Sequence, residues 1–111
     1  MVTGEAVPPS LVEDWFRYRP DIPMINAYGP TECSDDITHA VLFSSTDIAT
    51  RVPIGTAVQG ADLLVLGPDL GDVPDGHPGE LFVGGTCVGN GYLGNPVRTA
   101  SAFVARPGRS G

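Results

Sequence analysis

The stretch Asn26-Ala27-Tyr28-Gly29-Pro30-Thr31-Glu32 places an amide, an aromatic ring, a hydroxyl and a carboxylate on one tight loop marked by glycine and proline. An aromatic face can stack on a nucleobase and an amide can hydrogen-bond its edge. A hydroxyl can reach a phosphate oxygen, and a carboxylate can hold a Mg²⁺ that bridges phosphates. That combination is suited to nucleotide binding. The same residue types also suit a surface turn capped by Thr31 and Glu32, so the chemistry of this segment alone leaves both readings open.

Two further patterns invite chemistry. Glu32, Asp35, Asp36 and His39 combine carboxylates with an imidazole at short spacing, as a transition-metal site does. A solvated acidic turn with one histidine entering a strand accounts for Asp35, Asp36 and His39 more simply. Gly89-Asn90-Gly91-Tyr92-Leu93-Gly94 matches GxGxxG letter by letter. A dinucleotide site needs a preceding parallel strand, a helix opening at the third glycine and a later acidic residue. Here Gly94 runs into Asn95-Pro96, and the sequence supplies no such acidic residue before its end. His77, in a Pro/Gly segment, reads as surface.

The elements that must position these residues can be traced from the pattern. Ser10-Leu11-Val12-Glu13 has the form of a capping box, followed by Leu11, Trp15 and Tyr18 at helical spacing with Val12 and Phe16 beside them. This predicts a short helix ended by Pro20. Met24-Ile25 then steps into the loop at Tyr28, so helix, strand and polar loop resemble half of an α/β unit. From Thr38 the period becomes strand-like. Residues 39–43, 58–66 (with Ala61, Leu63 and Val65 on one face) and 80–85 read as strands, separated by turn clusters at Pro68-Asp69 and residues 72–79. They suggest a small antiparallel sheet or barrel. Asn95-Pro96 offers an N-cap and a proline at the first helical position, with Ala100, Phe103 and Val104 as an apolar stripe. The change of pattern near residues 45–53 marks the expected boundary, giving an α/β part over 1–50 and a β-rich part over 51–111.

Composition narrows the function classes. Thirteen acidic against six basic residues give a formal charge of −7, which repels phosphate backbones and anionic lipid. Nucleic acid and membrane surfaces are therefore poor partners. No apolar run approaches the ~20 residues of a membrane span. Residues 1–4 lack the basic and apolar segments of a secretory signal, so a cytoplasmic location is the expectation. Cys33 and Cys87 stand far apart with no CxxC spacing and are expected to be reduced thiols.

Residues 26–32 closely resemble the Asn-Ala-Tyr-Gly-Pro-Thr-Glu signature of nonribosomal peptide synthetase adenylation domains, members of the adenylate-forming superfamily. Gly4-Glu5-Ala6-Val7-Pro8-Pro9 is similar to the family's Gly-Glu-Ala-Leu-Pro segment, and Val52-Pro53-Ile54-Gly55 to its Pro-Ile-Gly step into the next subdomain. Residues 79–85 with Gly91-Tyr92-Leu93 resemble its Gly-Glu-Leu…Gly-Tyr-Leu motif, and Arg98-Thr99-Ala100 with Phe103-Val104 resemble the family's residues just after that motif. These matches run in family order from Gly4 to about Val104.

The resemblance implies the end of a Rossmann-like α/β subdomain followed by most of a small β-barrel-like subdomain. It implies that Asn26 and Tyr28 contact adenine, Tyr28 by stacking, within a nucleotide-binding stretch that includes Ala27 and Gly29. Thr31 would contact the α-phosphate and Glu32 would ligate Mg²⁺. Thr3, Gly4, Ala27, Asp35 and Asp36 would border the amino-acid pocket, where an inward carboxylate would favour a basic or hydrogen-bonding substrate side chain. The implied reaction is attack of an amino-acid carboxylate on the α-phosphorus of ATP, giving an aminoacyl-adenylate and pyrophosphate. The product would be loaded onto the phosphopantetheine of a downstream carrier domain, with a condensation domain in the same assembly line. The family's phosphate loop, ribose-binding aspartate, C-terminal lysine and amine-binding aspartate are not matched here, so an internal portion, inactive by itself, is expected. The alternatives are an acyl- or aryl-CoA ligase of the same superfamily, whose loop usually lacks the Asn-Ala before Tyr, and a β-rich binding module without catalysis.

Overall fold

The computed structural model describes residues 1–105, in two compact units that divide between Gln59 and Gly60. In the first, helix α1 (Pro9–Tyr18) precedes strands β1 (Met24–Tyr28), β2 (Thr38–Leu42) and β3 (Thr56–Ala57). The sheet order is β1-β2-β3 and both pairings are antiparallel, with Met24 opposite Leu42 and Tyr28 opposite Thr38. Val2 adds a parallel bridge to Asn26, through Val2 N–H to the Ile25 carbonyl and Ala27 N–H to the Val2 carbonyl, each 2.9 Å. A parallel pair joined through a helix is the crossover of an α/β unit. This portion is therefore an α/β arrangement extended by antiparallel strands.

The expected capping box does not form. Helix α1 starts two residues earlier, with Pro8 at the N-cap, Pro9 at the first helical position and no side-chain cap. A proline there lacks an N–H that would have had no partner anyway, and Ser10 falls inside the first turn, where it cannot serve as the N-cap. The helix closes with Arg19 N–H on the Trp15 carbonyl, just before Pro20 drives Arg19 out of helical torsions. Its buried stripe is Val12 and Phe16, whereas Leu11 and Tyr18 are exposed, so the expected Leu11-Trp15-Tyr18 face is displaced. Val12 and Phe16 pack with Met24 and Leu42, flanked by Val2, Val7, Trp15, Ile48 and Val52. Ten residues are too few for an isolated helix to persist in water, and burying each such side chain contributes about 1.5–3 kcal/mol. Packing, rather than capping, holds α1.

Residues 51–58, expected in the β-rich part, belong to the first unit. β3 extends the sheet, Val58 N–H donates to the Ile37 carbonyl at 2.9 Å, and the Asn26 amide donates to the Pro53 carbonyl at 2.8 Å. The tertiary pairing of this segment outweighs the change of pattern near residue 50.

The second unit contains β4 (Ala61–Leu66) and β5 (Glu80–Gly85), antiparallel with Ala61 opposite Gly85 and Leu66 opposite Glu80. Of the face expected from Ala61, Leu63 and Val65, Ala61 and Leu63 are half-buried but Val65 is exposed, and the buried residue of β4 is Leu66 on the other face. These strands form a two-stranded ladder, and no barrel closes among the described residues. Helix α2 (Pro96–Ala102) has the expected cap, with the Asn95 side chain accepting from Arg98 N–H at 3.0 Å. The apolar stripe behind it is only partly realised. Phe103 meets Tyr92 edge to face at 5.6 Å, and the Arg98 guanidinium lies 4.4 Å from the Tyr92 ring centre, while Ala100 and Val104 stay exposed. The GxGxxG lookalike follows an antiparallel strand. Gly91 sits there because a side chain would collide with Thr99, whose hydroxyl accepts from Tyr92 N–H at 2.9 Å.

Candidate functional site

The signature segment is divided between two local structures. Asn26, Ala27 and Tyr28 complete β1 rather than lying in a loop, and Thr31–Cys33 forms a single 3₁₀ turn. The β1 extension is enforced from both sides, by Val2 and by the full antiparallel register with β2. The turn closes at its neck, where Ile37 N–H donates to the Tyr28 carbonyl at 2.7 Å. Gly29 permits this closure, since a Cβ there would overlap the Asp35 carbonyl.

Burial here does not follow strand alternation, since two consecutive residues are covered. Asn26 and Ala27 are buried and Tyr28 keeps 40% of its surface exposed. A cavity of about 520 Å³ opens beside them, walled on one side by residues 4–7 and Pro9, on another by residues 26–29, and on a third by Arg51, Val52 and Ile54. The volume lies within the range of ligand pockets, ~300–1,000 Å³, and the wall is mostly apolar with a few polar groups, as such pockets are. Glu5 and Arg51 are the charged side chains of its lining.

The structure brings Gly4, Asn26, Ala27, Tyr28 and Gly29 together in this lining. Thr3, Thr31, Glu32, Asp35 and Asp36 stand outside it. Thr3 and Asp36 meet each other, the Thr3 hydroxyl donating to Asp36 Oδ1 at 3.0 Å, and Asp36 Oδ2 lies 3.6 Å from His39 Nε2. Thr31 and Asp35 are exposed and Glu32 is half-buried. No three His, Cys, Asp or Glu side chains converge as a metal site among the described residues. Cys33, which is buried, and Cys87, which is half-buried, form no disulfide.

The lining also includes Arg51, Val52 and Ile54, which sequence reasoning treated as a step between subdomains and not as part of a site. Their signal was the Val52-Pro53-Ile54-Gly55 match itself. Its meaning depends on the Asn26–Pro53 hydrogen bond, which draws the segment back against β1. No helix among the described residues is long and apolar enough to cross a membrane.

Comparison with known proteins bears on the family and the fold. The family model for AMP-binding enzymes matches residues 1–93. The nonribosomal peptide synthetase vlms of Lecanicillium sp is 41% identical over 108 residues, covering 96% of this chain and 1% of that protein. An artificially fused adenylation-PCP di-domain, NpsA-ThdA from Klebsiella oxytoca, superposes with a TM-score of 0.85 at 29% identity, over 96% of this chain and 20% of that one. The Vibrio cholerae adenylation domain AlmE, solved with glycyl-adenosine-5'-phosphate, gives a TM-score of 0.82 at 34% identity, over 96% and 21%. The chain thus spans a small part of the relatives it matches.

Proposed function

This chain belongs to the AMP-binding enzyme family, and we propose that it is the part of an amino-acid-activating adenylation domain that receives the nucleoside of ATP. The observation that carries the proposal is the cavity between residues 4–7 and the end of β1, with the half-exposed Tyr28 ring on its wall. A planar base fits such a site by stacking on Tyr28 against the apolar Val7, Val52 and Ile54. Asn26 supplies polar atoms on the same wall, although its amide nitrogen already serves the Pro53 carbonyl.

From the end of β1 the chain turns directly into Thr31 and Glu32, so groups suited to phosphate come directly after groups suited to a base. Thr31 is exposed and free to turn its hydroxyl to an α-phosphate oxygen. Glu32 is the candidate Mg²⁺ ligand. Magnesium commonly takes one or two carboxylates and completes its shell with phosphate oxygens and water, so a lone carboxylate in place of a cage fits that ion. Bound there, it would offset charge developing on the phosphate oxygens. Thr3, Gly4, Ala27, Asp35 and Asp36 would border the amino acid.

The overall reaction proposed is formation of aminoacyl-adenylate and pyrophosphate, with transfer to the phosphopantetheine of a carrier domain and a condensation domain downstream. The carrier step draws support from the adenylation-PCP architecture of the Klebsiella protein, and the amino-acid substrate from the glycyl-adenylate of the Vibrio one. The test is amino-acid-dependent exchange of labelled pyrophosphate into ATP by the protein that contains this chain. Exchange driven by an amino acid supports the proposal. Activity only with aryl or fatty acids and coenzyme A would replace it with a CoA ligase.

A further inference from the structure

Thr38 lies on the central strand β2, opposite Tyr28 on one side and Ala57 on the other. Asn26 stands opposite Ala40, two residues along, so Asn26, Tyr28 and Thr38 leave the sheet on one face. Asn26 and Tyr28 line the cavity. Thr38 is 0% exposed, and its Oγ1 is the buried side-chain oxygen without a hydrogen-bond partner among the described residues. A hydroxyl in that state destabilises a fold relative to valine, which has nearly the same shape. It calls for a partner small enough to be enclosed, and water meets that need. Asn26 supplies the other end. Because a carbonyl only accepts, the end of its amide that bonds Pro53 at 2.8 Å is the NH₂, and Oδ1 is left over. Diagonal neighbours across an antiparallel pair, as Asn26 and Thr38 are, have Cβ atoms about 7–8 Å apart. Between the polar tips of two short side chains, that separation admits one water.

We propose that Thr38 is a positioning residue for base recognition: its hydroxyl donates to one internal water, and that water donates to Asn26 Oδ1. The amide plane is then held at both ends, by the Pro53 carbonyl and by the water. Its acceptor stays turned to the cavity. The second lone pair of Oδ1 accepts the exocyclic amino group of adenine and disfavours hypoxanthine, which carries an oxygen at that place. The base preference rests on the nucleotide reading above, whereas the water between Thr38 and Asn26 does not.

The experiment uses the protein containing this chain, with ATP and inosine triphosphate as probes. A crystal structure of the wild type should show a water within about 3 Å of both Thr38 Oγ1 and Asn26 Oδ1. Thr38→Val should raise KM for ATP about fivefold, as loss of one hydrogen bond implies, and leave KM for inosine triphosphate unchanged. The turnover number should change less than about twofold. Thr38→Ser, which keeps the hydroxyl, should restore the wild-type preference, and Thr38→Val added to Asn26→Leu should have no further effect on either KM. An equal rise in both KM values marks a merely structural role and overturns the proposal. So does an unchanged KM for ATP together with a higher thermal midpoint in Thr38→Val, the result for a hydroxyl that has no partner at all. If Thr38→Val does not fold, the wild-type crystal structure decides, and absence of the bridging water refutes the proposal. A protein that has the water but binds neither nucleotide would support the Thr38–Asn26 link and refute the nucleotide reading.

Discussion

The Asn26 side-chain amide donates to the Pro53 carbonyl at 2.8 Å, joining the signature strand to a segment 27 residues further along the chain. Asn26 is 5% exposed, so the bond lies largely out of water and its loss is felt. It also brings Val52 and Ile54, on either side of Pro53, to the cavity that Asn26 lines.

Asn26→Leu removes that bond while roughly keeping side-chain volume. It should destabilise the folded state by about 1–2 kcal/mol. Urea unfolding checks this, with a lower midpoint and an unchanged slope expected. Because the third wall then loses its tether, ATP affinity should fall as well.

Tyr28→Ala should weaken ATP binding by about 1–3 kcal/mol, the usual contribution of a stacked aromatic. The ring is 40% exposed, so the effect on unfolding should be smaller than the effect on binding. Tyr28→Phe, which keeps the stacking face, should bind nearly as wild type in a calorimetric titration. Equal affinity in the alanine variant would remove Tyr28 from the site.

Glu32→Gln keeps the shape of a turn side chain and removes its charge. In the protein containing this chain it should raise the Mg²⁺ concentration needed for half-maximal pyrophosphate exchange by about tenfold or more, with little change in thermal midpoint. A Mg²⁺ titration superposing on that of the wild type would exclude the metal role.

Asp47 gives the fold a local acid dependence. Its carboxylate accepts from the N–H of Phe43 at 2.6 Å and of Ser44 at 3.0 Å, and these bonds hold its pKa below the ordinary 3.8. A group whose folded pKa is depressed contributes stability that is present above the unfolded value and lost as pH falls through the folded one. The contribution of Asp47 should therefore fade below about pH 4. NMR titration should show its carboxyl carbon moving at a lower pH than in an unfolded peptide. Asp47→Asn should flatten the stability profile in that range.

A polypeptide limited to these 111 residues should not catalyse amino-acid-dependent pyrophosphate exchange. It spans only 20% and 21% of the adenylation chains it superposes on, and positioning of several groups supplies much of such a barrier reduction. Exchange by the purified 111-residue polypeptide would contradict this reading.

The sequence by itself determined the identity of the family and the existence of most elements. The Asn26-to-Glu32 signature, the glycine-marked strand at residues 80–85 and the Asn95-Pro96 helix start depend on residues one to a few positions apart, and such local rules can be read directly. The cap at Ser44, which accepts from Thr46 N–H while Asp47 reaches back, has the same local character in its Ser-x-x-Asp spacing, yet it emerged only in the structure. Tertiary structure decided which side of each element faces inward. Helical periodicity at α1 suits both the Leu11-Trp15-Tyr18 face and the Val12-Phe16 face, and only the positions of Met24 and Leu42 select the second. The same holds for β4, where Leu66 and not Val65 is buried. Residues 51–58 join the first unit because Asn26 and Ile37 lie close in space, though both are far away in the chain. The cavity is the furthest from the sequence, since its three walls come from segments that only folding brings together. Contacts across such separations depend on the whole chain's packing, which no local pattern of residues encodes.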